Sequence, residues 1–203
     1  MPHHRSVFIL YAVVLGLALG LVTGGRLSRL GALHFRWAPV MAVGLVVQLA
    51  LFSSPIGNAL GDAAPWVYLG STVLVLVAVA RNVAIPGMAI VVVGGACNAL
   101  AILANGGYMP VGSAALAAMG RAEQVGYSNS RLVDDVRLWP LTDVFTMPTW
   151  MPAANIFSVG DVLIGVGVAV AIVMAMHGRI RDASSVDGPT AGDAQSASAA
   201  AVR

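Results

Sequence analysis

Five long apolar runs, each closed by Arg, Pro or Gly, constrain this chain more than any other feature. They lie at residues 6–23, 38–52, 66–80, 88–104 and 158–176, and Asp161 is the one charge-bearing residue within them. These lengths approach the roughly 20 residues that a helix needs to cross a bilayer. In lipid the backbone must satisfy its own polar groups, which leaves helices as the form such runs can take. Composition agrees: 58% of residues are hydrophobic and 10% are charged, against about 25% charged in soluble domains. The expected fold is all-α, a polytopic transmembrane bundle of five helices. A formal net charge of +2 is too small to suggest a nucleic-acid surface, so the bilayer is the expected partner.

The bundle is expected to occupy residues 1–181. Residues 182–203, rich in Ser, Ala, Gly and Asp, are expected to form a disordered tail. The first run resembles a signal peptide, but Arg26 and Arg29 follow it directly and no A-x-A site closes it, so it reads as a retained helix. Gly16 and Gly20 within it form a GxxxG, which permits close approach of another helix. Pro39 falls in the first turn of the second helix, where its missing N–H costs little. Residues 53–65, with Pro55, Gly57, Gly61 and Pro65, read as a loop. The connection 105–157 is too long to be structureless in a compact protein. It is expected to carry short amphipathic helices, one capped by Ser113 and running through Glu123, another around Leu132–Trp139. It is expected to lie on the membrane surface or to dip back into the bundle.

Basic residues orient the bundle. With the N-terminus outside, the inner short segments hold Arg26, Arg29, Arg36, Arg81, Arg179 and Arg181, and the outer ones hold only Arg5. The expected location is therefore the plasma membrane, with the C-terminus cytoplasmic and the long connection outside. At about 1.5 Å per residue, Gln48 lies roughly 6 Å and Asn98 roughly 9 Å inside the outer face. Asn105 sits at that face, and Asp161 enters from it by about one turn.

The candidate site is this set of polar groups. A carboxylate is expensive in lipid, so Asp161 should face protein or a water-filled cavity. Gln48 and Asn98 read first as interhelical hydrogen-bond glue and second as ligand contacts. Asn105-Gly106-Gly107 reads first as a helix stop and second as a ligand-contacting turn. Ser158 stands beside Asp161 at the same helix start. Asp143, flanked by apolar residues in Leu141-Thr142-Asp143-Val144-Phe145, is a second carboxyl held near the membrane. Two carboxyls that share a partly buried site tend to hold one proton between them, one then serving as base and the other as acid. Cys97 is the only cysteine and the four His lack ligand spacing, so no disulfide and no metal are expected. Walker A, GxGxxG, HExxH and GxSxG patterns are absent, and no cofactor is expected.

Two resemblances follow from these residues. Asn105-Gly106-Gly107-Tyr108-Met109-Pro110 and Ser158-Val159-Gly160-Asp161 resemble motifs of a family of bacterial five-pass membrane proteins of unknown function. That likeness, over nearly all of residues 6–177, implies a fold and a location but no activity. Thr142-Asp143-Val144 and Phe157-Ser158-Val159-Gly160-Asp161, with the Asps eighteen positions apart, resemble the two aspartate segments of lipoprotein signal peptidase. The second likeness implies an outward-facing aspartyl dyad of Asp143 and Asp161, supported by Asn98. The chain departs from that pattern where Ser158 and Gly160 replace Asn and Ala. Three functions therefore stay open: a pocket of Asp161, Asn98 and Gln48 that binds a lipid or small amphiphile, a membrane-embedded aspartyl hydrolase, and a transporter. The transporter lacks the paired broken helices and the twofold repeat it would need.

Overall fold

The computed structural model describes residues 7–51, 54–118, 130–131, 135–152 and 154–179. The tail expected at 182–203 and the parts of the connection at 119–129 and 132–134 lie outside them. The described residues are mostly helical. Helices α1 (Val7–Val22), α2 (Ala38–Leu51), α3 (Ser54–Leu60), α4 (Ala64–Ala80), α5 (Met88–Ala104), α6 (Ser113–Ala118) and α7 (Val159–Met176) follow in order.

One expectation is corrected. Residues 54–63 are not a loop: α3 continues through a 3-10 turn at Gly61–Ala63 into α4. The reason lies in where the prolines fall. Pro55 is the second residue of α3 and Pro65 the second of α4. In a first turn the N–H is unsatisfied anyway, so proline starts these helices instead of breaking them. The result is a 26-residue helical stretch, Pro55–Ala80, which with α7 is long and apolar enough to cross a bilayer. α1, α2 and α5 are apolar but shorter. The 17 residues of α5 give about 26 Å, and the 14 of α2 about 21 Å, against a hydrocarbon core of about 30 Å.

Helix ends are written in glycine. At the end of α5 the Gly107 N–H donates to Ile102 O at 2.9 Å and the Gly106 N–H to Leu103 O at 3.4 Å. This is a Schellman motif, and Gly106 supplies the left-handed residue it needs at φ 72°. α1 and α7 end by the same bond pattern, through Gly24 and Gly178.

The long helices pack in a row: α1 on α7, α7 on α5, α5 on α4, and α4 on α2. Small residues set the closest seam. α5 and α7 are antiparallel, and a methyl group built on Gly94 would strike the Gly160 carbonyl and the Ile164 amide. Seven residues away on each helix, Gly87 and Gly167 meet backbone to backbone in the same way. Seven residues are two turns, so both contacts lie on one face of each helix. On the other side of α7, Gly16 of the GxxxG lies against the Ala169 backbone. Val79, Ile85, Met88 and Ala171 form a core cluster at the end of the row where α4 stops and α5 begins.

The connection after α5 folds back in small pieces. Asn105 accepts from the Arg137 N–H at 2.9 Å and donates to the Arg137 carbonyl at 2.8 Å, clamping the backbone of Arg137 to the end of α5. Beyond a 3-10 turn at Trp139–Leu141, Val111 and Asp143 form a parallel bridge. Strands β1 (Met109–Pro110) and β2 (Ser130–Arg131) pair in parallel, and β3 (Phe145–Thr146) pairs antiparallel with β4 (Ile156–Phe157). Phe157 stacks on Phe145 and on Phe8 of α1, which ties the hairpin to the bundle.

Candidate functional site

The site starts at the N-terminus of α7. Ser158 is extended, at φ −106° and ψ 171°, and caps the helix. Its hydroxyl oxygen accepts from the Asp161 N–H at 3.1 Å, and Asp161 Oδ2 accepts from the Ser158 N–H at 3.0 Å. This reciprocal capping box satisfies two orphan amides of the first turn. The S-x-x-D spacing was legible in the sequence as a cap, yet attention to the carboxylate alone passes over it. Asp161 therefore has a local reason to be where it is, reinforced by the positive end of the helix dipole.

A second reason crosses to α5. Asn98 Nδ2 donates to Asp161 Oδ1 at 2.8 Å, and Ser158 Oγ donates to Asn98 Oδ1 at 2.8 Å. The network fixes which way the amide points, because a carboxylate only accepts. Gly160 makes room for it: a methyl group there would overlap Asn98 Oδ1 and crowd Gly94 O. Ser158 is fully buried. The three side chains form one closed set joining two helices.

Asp143 arrives from the folded-back connection. Its N–H donates to Pro110 O at 3.1 Å, and its carbonyl accepts from the Gly112 N–H at 3.3 Å. It is 7% exposed, held by backbone pairing and not solvated.

Asp143 and Asp161 line one cavity of about 350 Å³, together with Gln48, Asn98 and Asn155. Gln48 Nε2 donates to Thr72 Oγ1 at 3.3 Å, and Thr72 donates in turn to Tyr68 O. Tyr68 and Thr72 also line it, and the rest of the wall is apolar, including Leu45, Val75, Val79, Val91 and Ile164. Of the six residues singled out from sequence, four line the cavity. Ser158 stands behind it as the cap, and Asn105 is engaged in the Arg137 clamp and with Ala101 O. Sequence reading missed Tyr68, Thr72 and Asn155. The polar pair Ser71-Thr72 within an apolar run was the available signal for Thr72, whereas Asn155 carries none before the hairpin is known. Among the described residues no group of His, Cys, Asp and Glu is placed to hold a metal.

A family model described as a family of unknown function, DUF5317, matches residues 32–173. The chain belongs to this family. The DUF5317 match takes in the folded-back connection and every polar residue named above, and it leaves α1 outside. No curated protein and no solved structure matches the chain.

Proposed function

We propose that this DUF5317 chain is a five-span plasma-membrane protein, N-terminus outside, whose cavity binds a lipid or small amphiphile. The reading rests on one observation: two carboxyls and the amides of Gln48, Asn98 and Asn155 share the wall of a cavity whose remaining lining, Tyr68 and Thr72 apart, is apolar. Ligand sites combine a mostly apolar lining with a few placed polar groups, and this lining has that make-up. The orientation is supported by the basic residues. Arg29 bonds Met176 O, Arg36 is held by Asn82, and Arg81 lies over Trp37, all at the end opposite the cavity's polar groups. Purification in mild detergent followed by lipid analysis tests the reading. The wild-type chain should carry an enriched amphiphile, and the Asp161→Asn variant, which can keep the cap, should carry less. Wild-type protein with no enriched species rejects it.

A second reading has an observation of its own, the presence of Asp143 and Asp161 on the wall of the same cavity. It makes the protein an aspartyl hydrolase similar to lipoprotein signal peptidase. One carboxylate would take a proton from water while the other, protonated, would donate to the leaving group. Asp161 accepts two hydrogen bonds at its carboxylate, and a carboxylate has about four acceptor positions, so capacity to hold a water remains. Asp143→Asn and Asp161→Asn should each abolish cleavage of a lipidated peptide in reconstituted vesicles. Full turnover by either variant rejects the dyad.

A further inference from the structure

At the end of the bundle away from the cavity's polar groups, one residue has a backbone it should avoid. Trp37 stands at φ 62°, in the left-handed region. For a bulky side chain that conformation is an outlier. Such strain persists only where the surroundings impose it, and it gathers at functional sites. Glycine takes the conformation without cost, and this chain uses it so at Gly24, Gly61, Gly87, Gly106, Gly107 and Gly178. At position 37 it carries an indole instead.

Asn82 imposes the conformation. It is 3% exposed. Its side chain accepts from the Arg36 N–H at 2.7 Å and donates to the Arg36 carbonyl at 2.9 Å and to the Ala78 carbonyl at 2.8 Å. On the other side, the Trp37 carbonyl accepts from the Met41 N–H at 3.1 Å. Trp37 is thus fixed before and after, and its ring is set beneath Arg81, whose guanidinium carbon lies 4.7 Å from the ring centre. The ring attracts the cation but brings no opposite charge. The guanidinium keeps the planar fork of N–H donors that matches phosphate oxygens. Arg36 is held through its backbone, so the clamp does not use its side chain, which is exposed. The start of α2 and the end of α4 therefore bring two arginines and one indole to a single rim.

A chain joined to a phosphate at this rim would have a track to follow. Val77 and Val73 stand one and two turns back from Arg81 along the same face of α4, and both are half-exposed. Trp favours the headgroup level of a bilayer, and basic pockets between membrane helices on the cytoplasmic side take anionic lipid heads. On the membrane-spanning reading, and independently of what the cavity holds, we propose that Arg36, Trp37 and Arg81 form a site for the phosphate diester of an anionic phospholipid of the cytoplasmic leaflet.

The test uses the full chain in phosphatidylcholine nanodiscs, with Trp66→Phe, Trp139→Phe and Trp150→Phe leaving Trp37 as the one fluorophore. Brominated phosphatidylglycerol or brominated phosphatidylcholine is added at equal mole fraction, and quenching reports which lipid sits against the ring. Phosphatidylglycerol should be enriched at least about fivefold, the worth of one arginine near an anionic surface. Equal quenching by the two lipids overturns the site. Arg36→Gln with Arg81→Gln should remove the enrichment, while Arg26→Gln with Arg179→Gln, an equal loss of charge at the same end, should keep most of it. Equal losses in the two double variants overturn a built site in favour of the general field of that face. Inorganic phosphate, matched in ionic strength with chloride, should leave the quenching unchanged, and full displacement by it overturns the lipid as the source of the phosphate. Trp37→Gly relieves the backbone, so its unfolding midpoint should hold or rise while native mass spectrometry shows the bound phosphatidylglycerol lost. Retention of that lipid by Trp37→Gly overturns the role of the ring.

Discussion

The two ends of α7 solve the same problem with different means. At the C-terminal end the carbonyls are met by groups from the segment that follows α1 and by the ring of His177, which also reaches the end of α1. Met176 O accepts from the Arg26 N–H at 2.9 Å and from Arg29 Nη1 at 3.4 Å. The ring nitrogens of His177 lie 2.8 Å from Val173 O and 3.1 Å from Thr23 O. Met176 is fully buried. At the N-terminal end Ser158 and Asp161 already form a complete cap, and Asn98 is added to it from another helix. A helix end needs only its own orphan groups satisfied. The surplus at the N-terminal end therefore belongs to the α5–α7 seam and to the cavity that Asn98 and Asp161 line.

This contrast is broken most severely at a glycine. Gly160→Ala pushes a methyl group into the Asn98 amide, which can turn away only by giving up its bonds to Ser158 and Asp161, and into the Gly94 backbone, which can yield only by parting α5 from α7. Overpacking of a tight site costs about 1–3 kcal/mol, and Gly160→Ala should lie at the upper end, read as a lowered unfolding midpoint in detergent. Gly20→Ala, on α1 where it packs against the other end of α7, is its control. There the new methyl meets chiefly the Sδ and Cε of Met176, a flexible thioether that repacks, so the loss should be well below that of Gly160→Ala. Equal losses at the two positions would erase the distinction between the ends.

Next in size is Ser158→Ala. It removes the cap, at about 0.5–2 kcal/mol, and also strips the donor from Asn98 Oδ1. Ser158→Thr keeps both bonds and should recover most of the loss. Asn98→Ala should cost less, about 0.6–1.7 kcal/mol by the range for interhelical bonds in membranes, because the cap of Ser158 and Asp161 survives it. If Asn98→Ala is the costlier of the two, the network and not the cap holds the start of α7.

How much of this could be read from residues alone follows the same division. The bounds of α5 were legible because Gly87 and Asn105-Gly106-Gly107 punctuate both ends, and helix ends are local events. The stretch 54–63 reads as a loop from its Pro and Gly, whereas a proline in a first turn starts a helix. Asp161 and Asn98 could be placed at similar depth by counting residues. That Ser158 closes the set depends on the capping box, a local signal that the S-x-x-D spacing carries. Asp143 and Asn155 reach the cavity only through pairings across the folded-back connection, Val111 with Asp143 and Met147 with Asn155. The first joins residues distant in sequence and the second closes a hairpin that carries no turn signature, so no spacing rule announces either.

The smallest expected change in stability carries the sharpest information. Gln48 makes one side-chain bond, at 3.3 Å to Thr72, on the far side of the cavity from α7. Gln48→Leu conserves much of the volume and removes that single bond, so it should shift stability by no more than about 0.6 kcal/mol, the mean for such bonds in a membrane. If the polar groups on the wall serve packing alone, nothing else should change. If they serve a ligand, the same variant should lose bound amphiphile by about tenfold, the value of one hydrogen bond of about 1.5 kcal/mol. Stability and occupancy then separate at Gln48 while they fall together at Ser158. That separation is what a cavity wall does and a helix cap does not.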